Sequence, residues 1–183
     1  TAIFPLKSNF PVMELKEAFL EIRKGKPIHY FFSGAGPAVV FIHGAADSPK
    51  TFLPQAEKLA SRHLCLLPYL PGHGRSHEID EKVKLADFTQ ALFALVSALN
   101  LTRVSLVGYS FGAAVAVDFT LKHPEMVEKL VIMDGLVLKA YLPFSEAVPH
   151  IVSDYVADSV EALRRQLPMK VLTAEQLSSD LFE

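Results

Sequence analysis

Apolar runs of strand length alternate with segments of helical periodicity along the first 135 residues of the chain. The runs that predict strands span 18–23, 27–32, 38–43, 63–67, 103–108 and 129–133. The segments that predict helices span 49–61, 84–99 and 111–123. Because strand and helix alternate from residue 38 onward, we expect an α/β fold with a doubly wound, mostly parallel sheet and helices on both faces.

The pattern changes after Gly135. Residues 145–167 and 173–181 have the periodicity of amphipathic helices, and no clear strand separates them. We therefore divide the chain into a core over 1–135 and a helical cap, or lid, over 136–183.

Composition narrows the classes of function. Half of the 183 residues are hydrophobic and the net charge is −2, so no basic surface is available to attract nucleic acid or anionic lipid. No apolar run reaches the roughly 18–20 residues that a membrane helix needs. The single cysteine, Cys65, lies in an apolar run and predicts a buried thiol rather than a disulfide. Together these features predict a soluble, cytoplasmic protein that binds neither nucleic acid nor membrane.

The strongest chemical motif is the segment 108–112, Gly-Tyr-Ser-Phe-Gly. It follows an apolar strand and opens a helix rich in small residues, which is the setting of a nucleophile elbow. The serine there occupies a sharp strand-to-helix turn that projects its hydroxyl above the sheet. Gly108 and Gly112 provide the small residues that the close backbone approach requires. The motif predicts that Ser110 is a nucleophile, with a helix N-terminus beside it that favours developing negative charge.

Two further motifs follow other predicted strands. Residues 43–46 read His-Gly-Ala-Ala, directly after the strand at 38–43, and residues 71–76 read Pro-Gly-His-Gly-Arg-Ser, after the strand at 63–67. With the serine motif, and in this order, they make residues 18–135 resemble the α/β-hydrolase superfamily. The chain departs from the resemblance at Tyr69, where the superfamily commonly has an Asp that anchors the loop.

The resemblance implies roles for several residues. The backbone N–H groups of Ala45 and Phe111 would form an oxyanion hole for a tetrahedral intermediate. His43 and Gly44 would support that loop, with the His43 ring in a structural role.

The base and the acid that a serine nucleophile needs are not evident. In this fold the order along the chain is serine, acid, histidine. Only His123 and His150 follow Ser110, and the resemblance places the base at neither. Asp134, directly after the last predicted strand, is a candidate for the acid. We otherwise expect the acid, the histidine and the final strands beyond residue 183, and either further chain or an oligomer to cover the open sheet edge.

The resulting hypothesis is a carboxylesterase-like serine hydrolase that acts on a small ester or related acyl substrate through an acyl-enzyme. It needs no cofactor, and we expect no metal, because His73 and His77 lie four apart in a glycine-rich loop without a third ligand. Within the resemblance, serine at the elbow argues against haloalkane dehalogenase and epoxide hydrolase chemistry, which use an aspartate. The alternatives are a non-catalytic ligand-binding or scaffold protein on the same fold, or an inactive fragment.

Overall fold

The computed structural model describes residues 14–79 and 82–135; the predicted cap, 136–183, lies outside these ranges. Strands and helices alternate within them. The strands are β1 (Lys16–Arg23), β2 (Lys26–Ser33), β3 (Ala38–Ile42), β4 (Leu64–Pro68), β5 (Val104–Tyr109) and β6 (Val127–Met133). The helices are α1 (Leu53–Leu59), α2 (Leu85–Ala98) and α3 (Phe111–Lys122), with short 3-10 turns at Pro49–Phe52 and Pro124–Met126.

All of these strands belong to one sheet, in the order β1-β2-β4-β3-β5-β6. The pairs β1–β2 and β2–β4 are antiparallel, whereas β4, β3, β5 and β6 run parallel to one another. The prediction of a mostly parallel, doubly wound sheet is confirmed. Because parallel strands end at the same edge of a sheet, the loops after β3, β4, β5 and β6 all emerge at that edge.

Helices cover both faces of this sheet. On one face α2 and α3 enclose an apolar cluster that includes Val40, Leu106 and Phe119. On the other face α1 covers a cluster that includes Phe41 and Cys65. Burial raises the pKa of the Cys65 thiol to about 11, which fits the predicted structural cysteine. No helix in the described ranges is long and apolar enough to cross a membrane.

The predicted helix over 49–61 differs from what the structure contains. Its first turn is a 3-10 turn, in which the N–H of Leu53 donates to the carbonyl oxygen of Lys50, and the α-helix begins only at Leu53. The reason is Pro54, which has no N–H to donate to that carbonyl four residues earlier. Sequence periodicity does not distinguish the two kinds of turn.

Candidate active site

Ser110 lies in the sharp turn between β5 and α3. Its backbone has φ +50° and ψ −118°, a conformation that residues with a side chain rarely adopt. Its N–H donates to the carbonyl oxygen of Met133 at 3.0 Å, which ties the turn to the end of β6. Its side chain is half-buried. This strained strand–turn–helix geometry is what the motif over 108–112 predicts.

The two glycines of the motif are packed against backbone. A Cβ on Gly108 would lie 2.5 Å from the carbonyl oxygen of Gly112 and 2.6 Å from the Cα of Ala113. A Cβ on Gly112 would lie 2.5 Å from the carbonyl oxygen of His43 and would also overlap that of Ile42. Because these obstructing atoms belong to the main chain, no side-chain movement could relieve the overlap. The start of α3 therefore packs directly onto the end of β3.

The loop after β3 lies beside the serine. Gly44 is buried, and a Cβ placed on it would be 3.3 Å from the Cβ of Ser110. The next residue, Ala45, is exposed. Phe111 is the first residue of α3, so its N–H is one of those that lack an acceptor within the helix. Phe111 thus follows Ser110 in sequence, and Gly44, the neighbour of Ala45, lies beside Ser110 in space. That Ala45 and Phe111 form an oxyanion hole stays a prediction.

His43 is fully buried, and the partners of its ring nitrogens define its tautomer. Nδ1 lies 2.7 Å from the carbonyl oxygen of Gly44 and must donate to it, whereas Nε2 accepts from the N–H of Leu70 at 3.0 Å. Burial lowers the pKa of His43 from an ordinary value of 6.5 to about 4, so the ring is neutral at pH 7. With both nitrogens engaged, His43 has no free nitrogen to act as a base, in agreement with its expected structural role.

The loop over 69–77 is anchored without the Asp that is common in the superfamily. The hydroxyl of Ser76 donates to the carbonyl oxygen of Tyr69 at 2.8 Å and accepts from the N–H of His29 at 3.0 Å. The Tyr69 ring stacks on the His29 ring, with centroids 4.6 Å apart. A Cβ on Gly74 would lie 2.6 Å from the Tyr69 ring, so the loop folds over that ring. Ring packing and a buried serine hydroxyl together hold this loop in place.

His73, in the same loop, contacts the loop after β3. Its Nδ1 lies 3.0 Å from the carbonyl oxygen of Pro71, and its Nε2 accepts from the N–H of Ala46 at 3.2 Å. The His73 and His43 rings meet edge to face, with centroids 4.8 Å apart. Sequence reasoning missed this contact, because it treated His73 as part of the motif over 71–76 and rejected it as a metal ligand, without assigning its ring a partner. Within the described residues, no group of three His, Cys, Asp or Glu side chains is arranged to hold a metal ion.

The candidate acid lies near the turn, but its role stays a prediction. Asp134 directly follows β6, next to the residue whose carbonyl oxygen accepts from Ser110, and it is exposed with φ +46°. His123 lies at the other end of α3, whose 12 residues span about 18 Å at 1.5 Å per residue. It stacks on Phe93 at 4.2 Å. His123 therefore cannot be the base, and His150 lies outside the described residues.

Comparison with known proteins agrees with this geometry. The (E)-2-((N-methylformamido)methylene)succinate hydrolase of Acinetobacter baylyi is 25% identical over 146 residues, which cover 80% of this chain and 52% of that protein. The 2-hydroxy-6-oxononadienedioate/2-hydroxy-6-oxononatrienedioate hydrolase 2 of Pseudomonas putida is 31% identical over 177 residues, which cover 90% of this chain and 62% of that protein. The crystal structure of an epoxide hydrolase from Vigna radiata has a TM-score of 0.62 at 25% identity and covers 65% of this chain.

The chain is shorter than the proteins that it resembles. It spans less than two thirds of both curated relatives and 39% of the Vigna radiata enzyme. A family profile described as alpha/beta hydrolase fold matches residues 37–182, a range that includes the Ser110 turn and both loops beside it. This chain therefore belongs to the α/β-hydrolase fold family.

Proposed function

We propose that the protein is a serine hydrolase in which Ser110 attacks the carbonyl carbon of a small ester or related acyl substrate. The observation that carries the proposal is the turn itself. Ser110 is held in a strained conformation with φ +50°, and a Cβ placed on the buried Gly44 would lie 3.3 Å from the Cβ of Ser110, so the Ala45 loop lies beside it. A backbone that stores strain at a motif serine, beside N–H groups with no acceptor in the helix, fits a nucleophile better than a simple corner.

In this mechanism the Ser110 hydroxyl oxygen bonds to the carbonyl carbon, and its proton passes to a base. The carbonyl oxygen becomes an oxyanion that accepts hydrogen bonds from the N–H groups of Ala45 and Phe111. The C–O bond to the leaving alcohol then breaks as the base returns the proton, which leaves an acyl-enzyme that water hydrolyses. Asp134 is our candidate to orient the base, and we assign the base itself to a histidine beyond residue 183.

The relatives support a carbonyl substrate without specifying an ester. The Acinetobacter baylyi relative is named for a formamido compound and the Pseudomonas putida relative for oxo acids, so both names describe carbonyl carbons. The epoxide hydrolase from Vigna radiata shares the fold, but this chain has serine at the elbow. A substrate panel should therefore contain short-chain and long-chain esters, an amide and a 2-hydroxy-6-oxo dienoate.

The experiment is covalent labelling with a fluorophosphonate, followed by intact-mass measurement. Two proteins are compared, the 183-residue chain at 20.2 kDa and a longer protein that contains it, each with a Ser110→Ala control. We expect one adduct on the longer protein, none on its Ser110→Ala variant, and slow or no labelling of the short chain, because our proposal places the base outside it. An adduct that survives Ser110→Ala would contradict the assignment of the nucleophile.

The alternative is a ligand-binding or scaffold protein that retains the turn without using it. It predicts no adduct on either protein, together with unchanged folding of the Ser110→Ala variant. Full labelling of the 183-residue chain alone would contradict our placement of the base beyond residue 183.

A further inference from the structure

The loop over 43–46 and the loop over 69–77 hold each other through two histidines. His43 belongs to the first loop, and its Nε2 accepts from the N–H of Leu70 in the second at 3.0 Å. His73 belongs to the second loop, and its Nε2 accepts from the N–H of Ala46 in the first at 3.2 Å. In each ring Nδ1 donates to a carbonyl oxygen, of Gly44 or of Pro71. We call this reciprocal arrangement, formed by His43 and His73, the histidine clasp.

The clasp acts on the two peptide groups that flank Ala45. The peptide between Gly44 and Ala45 is planar, so its carbonyl oxygen and the Ala45 N–H point in opposite directions. His43 holds that oxygen at 2.7 Å and thereby sets the direction of the Ala45 N–H. The following peptide contributes the Ala46 N–H, which His73 holds. Both planes around the predicted oxyanion donor are therefore oriented by histidine rings.

Ala46 needs such support. It has φ +54°, the left-handed region that a residue with a Cβ avoids at a cost of about 1 kcal/mol or more. It is exposed, as is Ala45, so packing does not fix this part of the loop. The hydrogen bond from its N–H to His73 holds the strained residue from outside the loop.

We infer that His73 is a positioning residue for the oxyanion hole: through Ala46 it holds the Ala45 N–H in the direction that a tetrahedral intermediate requires. The inference rests on the proposed function, because it takes Ala45 as a donor to the oxyanion. His73 itself touches no reacting atom. Its role requires the tautomer with the proton on Nδ1. Nε2 must be unprotonated to accept from the Ala46 N–H, and Nδ1 must carry the proton to donate to the carbonyl oxygen of Pro71.

The test measures the rate of fluorophosphonate labelling in the longer protein and in three variants. His73→Leu removes the acceptor, and His73→Gln keeps an oxygen that can reach the Ala46 N–H. His77→Leu is the matched control, because His77 lies in the same loop but its Nδ1 faces the carbonyl oxygen of Pro27 at 3.3 Å. We expect labelling about 10-fold to 100-fold slower in His73→Leu, within threefold of wild type in His73→Gln, and unchanged in His77→Leu. The upper limit follows from the loss of about 10²–10³ when one oxyanion donor is removed.

A second readout separates positioning from simple loss of stability. With an ester that the protein hydrolyses, His73→Leu should lower kcat about 10-fold and leave KM within twofold, since the oxyanion forms only after binding. If His73→Leu does not fold, His73→Asn replaces it. Asparagine is polar like histidine, but its side chain is too short for its oxygen to reach the Ala46 N–H. Nitrogen-15 NMR of the wild-type rings should report the Nδ1–H tautomer for both His43 and His73.

The outcomes distinguish the two claims. An unreactive wild-type protein overturns the proposed function and the inference with it. A reactive wild type whose folded His73→Leu variant reacts equally fast overturns the inference alone, as does an Nε2–H tautomer at His73.

Discussion

The two sides of the candidate site are built by different means. The Ser110 turn is held by main-chain contacts over five residues, where Gly108 and Gly112 allow strand and helix to touch. The loop over 43–46 is held by hydrogen bonds, each accepted by a histidine ring, to a loop 27 residues away. Both sides contain a strained residue with a Cβ, at φ +50° in Ser110 and φ +54° in Ala46. The comparison shows that a backbone with unfavourable positive φ can be stabilised either by packing within a short segment or by hydrogen bonds to residues distant in the chain.

The largest effect should come from blocking the local packing with Gly112→Ala. In an ordinary helix this change stabilises by about 1 kcal/mol. Here the new Cβ would overlap the carbonyl oxygens of Ile42 and His43, so we expect a loss of about 3 kcal/mol in the free energy of unfolding. Urea denaturation measures it. The control is Ala114→Gly, two residues along α3, which should cost about 1 kcal/mol. A more stable Gly112→Ala variant would contradict the packing that we describe.

An effect of similar size should appear at the loop side, as a dependence of the free energy of unfolding on pH. His43 has a pKa of about 4 in the folded protein, against an ordinary 6.5, because its ring is buried. The unfolded chain therefore binds more protons between these values. The stabilisation is complete above pH 6.5 and is lost as pH falls towards 4, by about 3 kcal/mol.

Urea denaturation at pH 7 and at pH 4.5 measures this loss in the wild type and in His43→Gln. Burial also lowers the pKa of His29 and of His77, so the variant should retain part of the pH dependence. Equal pH dependence in the two proteins would show that His43 is not held neutral by burial.

A smaller effect should follow from Ser76→Ala, which removes a hydroxyl that anchors the loop over 69–77. The hydroxyl accepts from the N–H of His29 and donates to the carbonyl oxygen of Tyr69, so its removal leaves one buried and one partly buried backbone group without this partner. We expect a loss of about 2 kcal/mol in the free energy of unfolding. Ser61→Ala, at an exposed position, should change it by less than about 0.5 kcal/mol. Equal effects of the two changes would argue against the bridging role of Ser76.

The smallest effect should be a gain in stability at the turn itself. Ser110→Gly removes the Cβ that makes φ +50° unfavourable, and we expect the folded protein to become more stable by about 1 kcal/mol. Ser110→Ala keeps the Cβ and should remain close to the wild type. The urea midpoints of the three proteins measure the difference, and a less stable glycine variant would indicate that the turn is not strained.

Much of the core follows from the sequence. Strands such as β3, in which all five residues are buried, appear as continuous apolar runs, and α2 has apolar residues at helical spacing. The Ser110 turn is also predictable, because its requirement for small residues is met within five consecutive positions. The 3-10 turn before α1 was not predicted, since it depends on the missing N–H of Pro54, which a hydrophobic pattern does not record.

The sequence by itself determined the alternation of elements, the identity of the motif serine and the small residues around it, because each depends on neighbours within a few positions. Only the tertiary structure decided how the loop beside the serine is oriented. That orientation depends on which ring nitrogens of His43 and His73 accept backbone N–H groups 27 residues away. It also depends on Tyr69 and Ser76, which anchor the loop over 69–77 where the superfamily commonly has an Asp. Such contacts form only when the ends of β3 and β4 meet at the same sheet edge, because parallel strands bring residues together that are distant in the chain.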